Sequence, residues 1–252
     1  SKAKSKIKKI KKKNKYFNKK LSKHLIKNFN FDLTEGQKKI IHEINDDLSS
    51  GLRMFRLLQG DVGTGKTIIA LIAAANVIES NYQVAFMAPT EILAKQHFSL
   101  AKKIFKGTNI NINFLSGKTE NKKRKNIISE LYKGKVNLLI GTHALFQEKM
   151  LFENLGLVII DEQHKFGVKQ RIDLAKKGGN ECDILLMSAT PIPRTLILTY
   201  YGDMDISRLT EKPAHRKKII TLSKSDKKLN DLFIYLKKQI NEKNQIFWVC
   251  PL

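Results

Sequence analysis

The first 31 residues contain no acid: the earliest carboxylate is Asp32, whereas thirteen lysines fall between Lys2 and Lys27. Cysteine is nearly as scarce. Cys182 and Cys250 are the only two, and they form no CxxC or other ligand spacing, so neither a disulfide framework nor a zinc site is expected and a reducing cytoplasm fits best. No run reaches the ~18 consecutive apolar residues of a membrane-spanning helix, and no secretory leader pattern is present. The expectation is a cytoplasmic protein with no membrane partner.

The 252 residues are 42% hydrophobic and include 13 Phe, too apolar for a disordered chain and enough for a sizeable core. The formal charge is +24 with a pI near 9.9, and the lysine-rich start holds more than half of it. Two readings of that block compete. It is a footprint for nucleic-acid phosphates, or it reflects a compositional bias, since the chain uses 40 Lys to only 7 Arg. Ile7, Ile10, Leu21, Leu25 and Ile26 are its sparse apolar positions, so residues 1–30 read as a solvated helix or linker.

From Phe31 onward short apolar runs alternate with helical stretches. The runs are 55–58, 84–88, 112–115, 136–140, 157–160 and 184–187, each nearly continuous, as in strands buried on both faces of a parallel sheet. Helices are expected over 66–80, 91–105, 122–133 and 168–176, the second with Leu93, Leu100, Ala101 and Ile104 on one face. The alternation predicts an α/β fold with a mostly parallel sheet, whose ligands bind at the carboxyl ends of the strands. Around 211–216 a Lys-Pro step and a basic cluster read as an interdomain linker. Beyond it, 218–222 resembles a strand, Leu229, Leu232, Phe233 and Leu236 mark a helix face, and 246–249 begins another strand. Residues 31–212 are therefore expected to form one domain and 213–252 the opening of a second. The chain starts at Ser1 and not Met, and it reads as a fragment of a longer protein.

Gly60, Asp61, Val62, Gly63, Thr64, Gly65, Lys66 and Thr67 fit GxxxxGKT between an apolar strand and a helix. The glycines let backbone N–H groups face phosphate oxygens, and the following helix adds its positive end. Lys66 suits the β and γ phosphates of a nucleoside triphosphate and Thr67 suits Mg²⁺. The run 157–160 ends in Asp161-Glu162. Beside a phosphate loop, Asp161 is placed to complete the Mg²⁺ shell at a neighbouring strand and Glu162 to orient or deprotonate an attacking water. Gln163 and His164 follow, with His164 a γ-phosphate sensor.

Ser188-Ala189-Thr190 opens a proline-stiffened loop after the sixth run, placed to bridge the nucleotide and whatever the protein moves. Pro89-Thr90 after the second run, Gly117 after the third and Gly141-Thr142-His143 after the fourth supply small residues, hydroxyls and N–H groups. Together these suit nucleic-acid phosphate contacts that ignore base identity. The basic stretch Lys122 to Lys125 adds attraction.

The strings GDVGTGKT, APTEILAKQH, IGTHALFQ, IIDEQHKFGVKQR and SATPIPRTLILTYYGDMDIS, in this order, resemble the RecG family of bacterial ATP-dependent DNA helicases within helicase superfamily two. The related transcription-repair coupling translocase shares TPIPRT but carries a DEEH box, so Gln163 favours RecG. The resemblance implies a RecA-like first motor domain with ATP and Mg²⁺ as cofactors. It implies that Gln37, in a segment similar to a Q motif, bonds the adenine edge, and that Ser188 and Thr190 couple hydrolysis to DNA movement. It further implies a monomer that remodels stalled forks and Holliday junctions on branched or duplex DNA, with an upstream wedge domain for which residues 1–30 are the connector. Thr64 and Lys165 depart from the commoner Ser and Arg. The rivals are the transcription-repair translocase and a non-catalytic basic DNA-binding module.

Overall fold

The computed structural model describes residues 10–29, 31–146, 150–162, 179, 182–190, 204–211, 220–223, 225 and 228–249. The chain divides into two compact units, Ser1–Pro213 and Ala214–Leu252.

In the first unit the helices are α1 (Lys20–Asn28), α2 (Glu35–Ser49), α3 (Lys66–Glu79), α4 (Glu91–Ile104) and α5 (Asn121–Tyr132). The strands are β1 (Phe55–Gly60), β2 (Gln83–Met87), β3 (Ile112–Leu115), β4 (Leu138–Gly141), β5 (Leu155–Ile160), β6 (Asp183–Ser188) and β7 (Asp205–Leu209). They form one sheet in the order β3-β4-β2-β5-β6-β1-β7, and every pairing is parallel. All seven carboxyl ends therefore share one edge. The expected α/β class stands, and the six apolar runs are all strands.

Alternation along each strand splits the core into two layers. Leu58, Val84, Phe86, Leu157 and Ile159 face one layer, shared with α1, α2, α3 and α4. Leu57, Ala85, Met87, Val158 and Ile160 face the other, with Ile127 and Leu131 of α5. Helix α3 is apolar all round, and only Thr67 and Glu79 of its fourteen residues escape burial. It is the central helix of its layer and fixes the loop that precedes it.

Three expectations change. Residues 10–29 are not a solvated linker: the Lys12 and Lys15 ammonium groups each lie 2.8 Å from Asp183 Oδ2, with all three side chains fully buried. Lys12 also donates to the Leu48 carbonyl, and Asp183 Oδ1 accepts from Met54 N. Leu25 of α1 joins the core at 2% exposure. Lysine is buried here because a carboxylate at the amino end of β6 answers it; among the block's many lysines, spacing could not single these two out. Second, β7 and α2 had no counterpart in the sequence reading. Third, residues 220–223 and 244–249 form no strand where 218–222 and 246–249 suggested one. A strand needs a partner for its hydrogen bonds, and the described residues of that unit contain none. The expected helix 168–176 lies outside the described residues.

In the second unit a single described helix, α6 (Leu229–Asn241), carries Phe233 stacked on Trp248 at 5.6 Å between ring centroids. No described helix is long and apolar enough to cross a membrane.

Candidate nucleotide site

The phosphate-loop motif runs from the last residue of β1 into the first turn of α3. Gly63 and Gly65 sit at φ 77° and 95°, the left-handed region that a side chain resists. A Cβ on Gly65 would also collide with the Gln37 amide, and one on Gly60 would meet Leu209 and Thr64. Gly65 caps α3, and no side chain closes that helix end, which leaves it to attract anions. Thr64 is buried and donates from Oγ1 to the Asp61 carbonyl (2.8 Å). Val62 is exposed at the rim, and Thr67 is half-buried in the first turn of α3.

Lys66 is buried, and its ammonium donates to the Gly60 and Asp61 carbonyls at 2.5 and 3.0 Å. Burial lowers its pKa below the ordinary lysine value, while the carboxylates of Glu162, Asp161 and Asp61 act in the opposite direction. A cation held by loop carbonyls next to three acids has the chemistry to take phosphate oxygens in their place.

Asp161 and Glu162 follow β5. In the sheet, β6 lies between β1 and β5, so the acid pair is not on the strand next to the phosphate loop as expected. The Ser188-Ala189-Thr190 segment stands between them. Sequence order cannot disclose this insertion, because β6 comes after both. Asp161 Oδ1 accepts from Glu162 N at 3.0 Å, and Oδ2 lies 2.8 Å from His97 Nε2. Glu162 adopts φ 47°, a conformation worth about 1–3 kcal/mol of strain for a residue with a Cβ. Gln163 and His164 lie outside the described residues.

Among the described residues no cluster of three or more His, Cys, Asp or Glu could hold a metal. Mg²⁺ binds through one or two carboxylates plus substrate phosphates and water, not through an all-protein cage. Asp161 retains open lone pairs beyond its two hydrogen bonds. Together with the Thr67 hydroxyl and the phosphate-binding loop, it fits that ion.

Gln37, for which the resemblance implied an adenine contact, is buried at the start of α2 beside the phosphate loop. Its Oε1 accepts from Thr34 N and its Nε2 donates to the Thr64 carbonyl (3.0 and 2.8 Å), and Thr34 Oγ1 accepts in return from Gln37 N. This capping box starts α2 and braces the phosphate loop. Glu211, just past β7, accepts from Gly36 N (2.9 Å); that bond and one to Thr34 hold its carboxyl below the usual range.

The remaining loops line the same edge. Ala88 N donates to the Gly141 carbonyl and Thr142 N to that of Leu115, which stitches the ends of β2, β3 and β4. Pro89 is half-buried, and Thr90 caps α4 by accepting from Leu93 N. Gly117 faces open space and His143 is exposed, whereas Thr142 is buried with no partner for its hydroxyl among the described residues. Arg124 donates to the Ser116 carbonyl at 2.8 Å, while Lys122, Lys123 and Lys125 are exposed. Ser188 Oγ and Thr190 Oγ1 lie 3.1 Å apart.

Sequence reasoning missed three participants. Gln59, in β1, donates to the Thr190 carbonyl (3.0 Å) and accepts from Arg208 of β7 (3.2 Å), which ties the phosphate-loop strand to the Ser188–Thr190 segment. The third is His97. Ala94, His97, Ala101 and Ile104 form the buried face of α4, so a histidine in an apolar stripe was the available signal.

This fold and site define a phosphate-loop nucleotide-binding domain of the RecA-like helicase type. The chain belongs to the DEAD/DEAH box helicase family, which matches residues 34–198. It is 44% identical over 227 residues to the ATP-dependent DNA helicase RecG of Bacillus subtilis, covering 90% of this chain and 33% of that protein. The RecG of Aquifex aeolicus is 45% identical over 223 residues, 88% of this chain and 28% of the relative. The chain thus spans about a third of the length of the curated relatives it matches. Among solved structures, a RecG bound to a three-way DNA junction superposes with a TM-score of 0.86 at 40% identity, covering 100% of this chain and 34% of that one. A DEAD box protein from Methanococcus jannaschii shares the fold at a TM-score of 0.57 and 22% identity, covering 76% and 54%.

Proposed function

We propose that this chain supplies the first motor domain of an ATP-dependent DNA helicase of the RecG kind, which remodels branched DNA such as stalled forks and Holliday junctions. The observation that carries the reading is the convergence of phosphate loop, acid pair and Ser188–Thr190 segment on three consecutive strand ends, β1, β6 and β5. In this reading residues 31–212 are the motor body, 213–252 open the second motor domain, and 1–30 connect to an upstream wedge. The unit boundary after Pro213 supports the second division. DNA is the partner and the protein acts as a monomer in the cytoplasm.

The residues divide the work by position. Lys66 exchanges the Gly60 and Asp61 carbonyls for β and γ phosphate oxygens, and the N–H groups from Gly63 to Thr67 close around them. Bound Mg²⁺, held by Thr67 and Asp161, would neutralise charge across the phosphates. Glu162 orients the attacking water and accepts its proton. Gln59 passes any change at the phosphate loop to Thr190 through one hydrogen bond, and the loops that carry Pro89, Thr90, Gly117, Gly141, Thr142 and His143 form the edge that follows the DNA backbone. Two lysines of the basic block are consumed by Asp183, which disfavours the rival of a basic DNA-binding module. In the full-length protein Lys66→Ala should abolish DNA-stimulated ATP hydrolysis; turnover near wild type would sink the assignment.

A further inference from the structure

We infer that His97 is the positioning residue of the Asp161 carboxylate, fixing the orientation from which Asp161 takes Mg²⁺ and joining α4 to the metal site. The inference rests on the reading of Asp161 as a metal carboxylate.

A terminal carboxylate rotates over a broad, two-fold torsion, so one held oxygen leaves the other free to swing. Here both are held. Glu162 N fixes Oδ1 at 3.0 Å and His97 Nε2 meets Oδ2 at 2.8 Å. Because a carboxylate only accepts, this nitrogen carries the proton. The two side chains are 9% and 10% exposed, where such a charge-assisted bond is little weakened by water.

The donor is itself fixed. The imidazole stacks on Phe86 of β2, with centroids 4.8 Å apart and planes at 26°, and Phe86 is fully buried. Ala94 and Ala101, one turn to either side of His97, are also fully buried, so small side chains let α4 sit close to the sheet. An apolar residue would fill the same slot at no desolvation cost. What histidine adds is one directed donor. The start of α4 follows Pro89-Thr90, on the edge proposed to meet DNA. A shift of this helix therefore reaches Asp161 through the imidazole, without passing through the phosphate loop.

The test uses the full-length protein and Mg²⁺ titrations of two signals: binding of a fluorescent ADP analogue, and DNA-stimulated ATP turnover. His97→Phe keeps a ring on Phe86 and removes the donor. It should raise the half-saturating Mg²⁺ concentration about 10–100-fold, the usual cost of losing an outer-shell partner, while metal-free nucleotide affinity and melting temperature stay near wild type. His97→Gln, whose amide N–H lies near the Nε2 position, should recover most of the loss. Wild-type Mg²⁺ dependence in His97→Phe overturns the inference, as does failure of His97→Gln to outperform it. If His97→Phe does not fold, His97→Leu replaces it under the same criteria. Asp161→Asn separates the two levels. If it leaves Mg²⁺ dependence untouched, the metal-site reading falls and the inference with it; if it raises the requirement while His97→Phe does not, only the inference falls.

Discussion

Lys15 Nζ lies 2.8 Å from Asp183 Oδ2 with neither side chain exposed, and Lys12 makes a second contact of equal length to the same oxygen. Removing the shared carboxylate strands two buried cations. Asp183→Asn should therefore cost about 3–5 kcal/mol, read by urea unfolding, and should expose residues 10–29 to limited proteolysis before the rest of the first unit. Loss of stability without early release of that segment would show that it is held by Leu25 and its apolar neighbours alone.

Glu162→Gln should retain ATP binding and lose turnover by at least two orders of magnitude, because the amide keeps the shape and cannot accept the proton. Isothermal titration and single-turnover hydrolysis check the two halves. Loss of binding would instead make Glu162 a phosphate-site residue.

Gly65→Ala asks a Cβ to adopt φ 95° and to enter the space of the Gln37 amide. The left-handed conformation alone costs about 1–2 kcal/mol, and displacing Gln37 breaks its bond to the Thr64 carbonyl. Nucleotide binding should fall below detection, with a melting temperature lowered by a few degrees. Unchanged binding would mean that the loop closes without Gln37.

Gln59→Leu removes both the donor to Thr190 and the acceptor for Arg208. Nucleotide affinity should hold, while the stimulation of hydrolysis by DNA drops about tenfold, the equivalent of one hydrogen bond of roughly 1–1.5 kcal/mol. The ratio of DNA-stimulated to basal ATP turnover is the measurement. An unchanged ratio would remove Gln59 from the coupling path.

Burial pushes the Cys182 thiol up to about 12, from 9.0. Its folded pKa is raised, so its contribution to stability is complete below about pH 9 and is lost as pH climbs from about 9 to about 12. At pH 8 it should resist a disulfide reagent in a Cys250→Ser background until denaturant is added. Prompt labelling of the native protein would contradict its full burial at the residue preceding β6.

Much of this arrangement was legible in the sequence, for definable reasons. Strands buried on both faces are nearly continuous in apolar residues, so the six runs stood out, whereas β7 at the sheet's edge reads Asp-Ile-Ser-Arg-Leu and carries no such signal. The phosphate loop and the acid pair were visible because their chemistry demands residue types at short spacing. What was hidden depends on pairing across long separations. The placement of β6 between β1 and β5, the choice of Lys12 and Lys15 for Asp183, and the meeting of His97 with Asp161 each join segments well separated along the chain, up to 171 residues apart. Local pattern carries no information about them.

The strand order also bears on how this protein is made. Phe55 pairs with Ile184 and Arg56 with Asp205, so β1 has both neighbours roughly 130–150 residues downstream, which at ~5–20 residues per second of synthesis is a wait of about 7–30 s. Throughout that interval the segment that ends in the phosphate loop leaves the ribosome without either flanking strand. Newly made chains should therefore depend on chaperones until translation has passed Leu209, and a stall before that point should yield aggregated product, not a partly folded sheet.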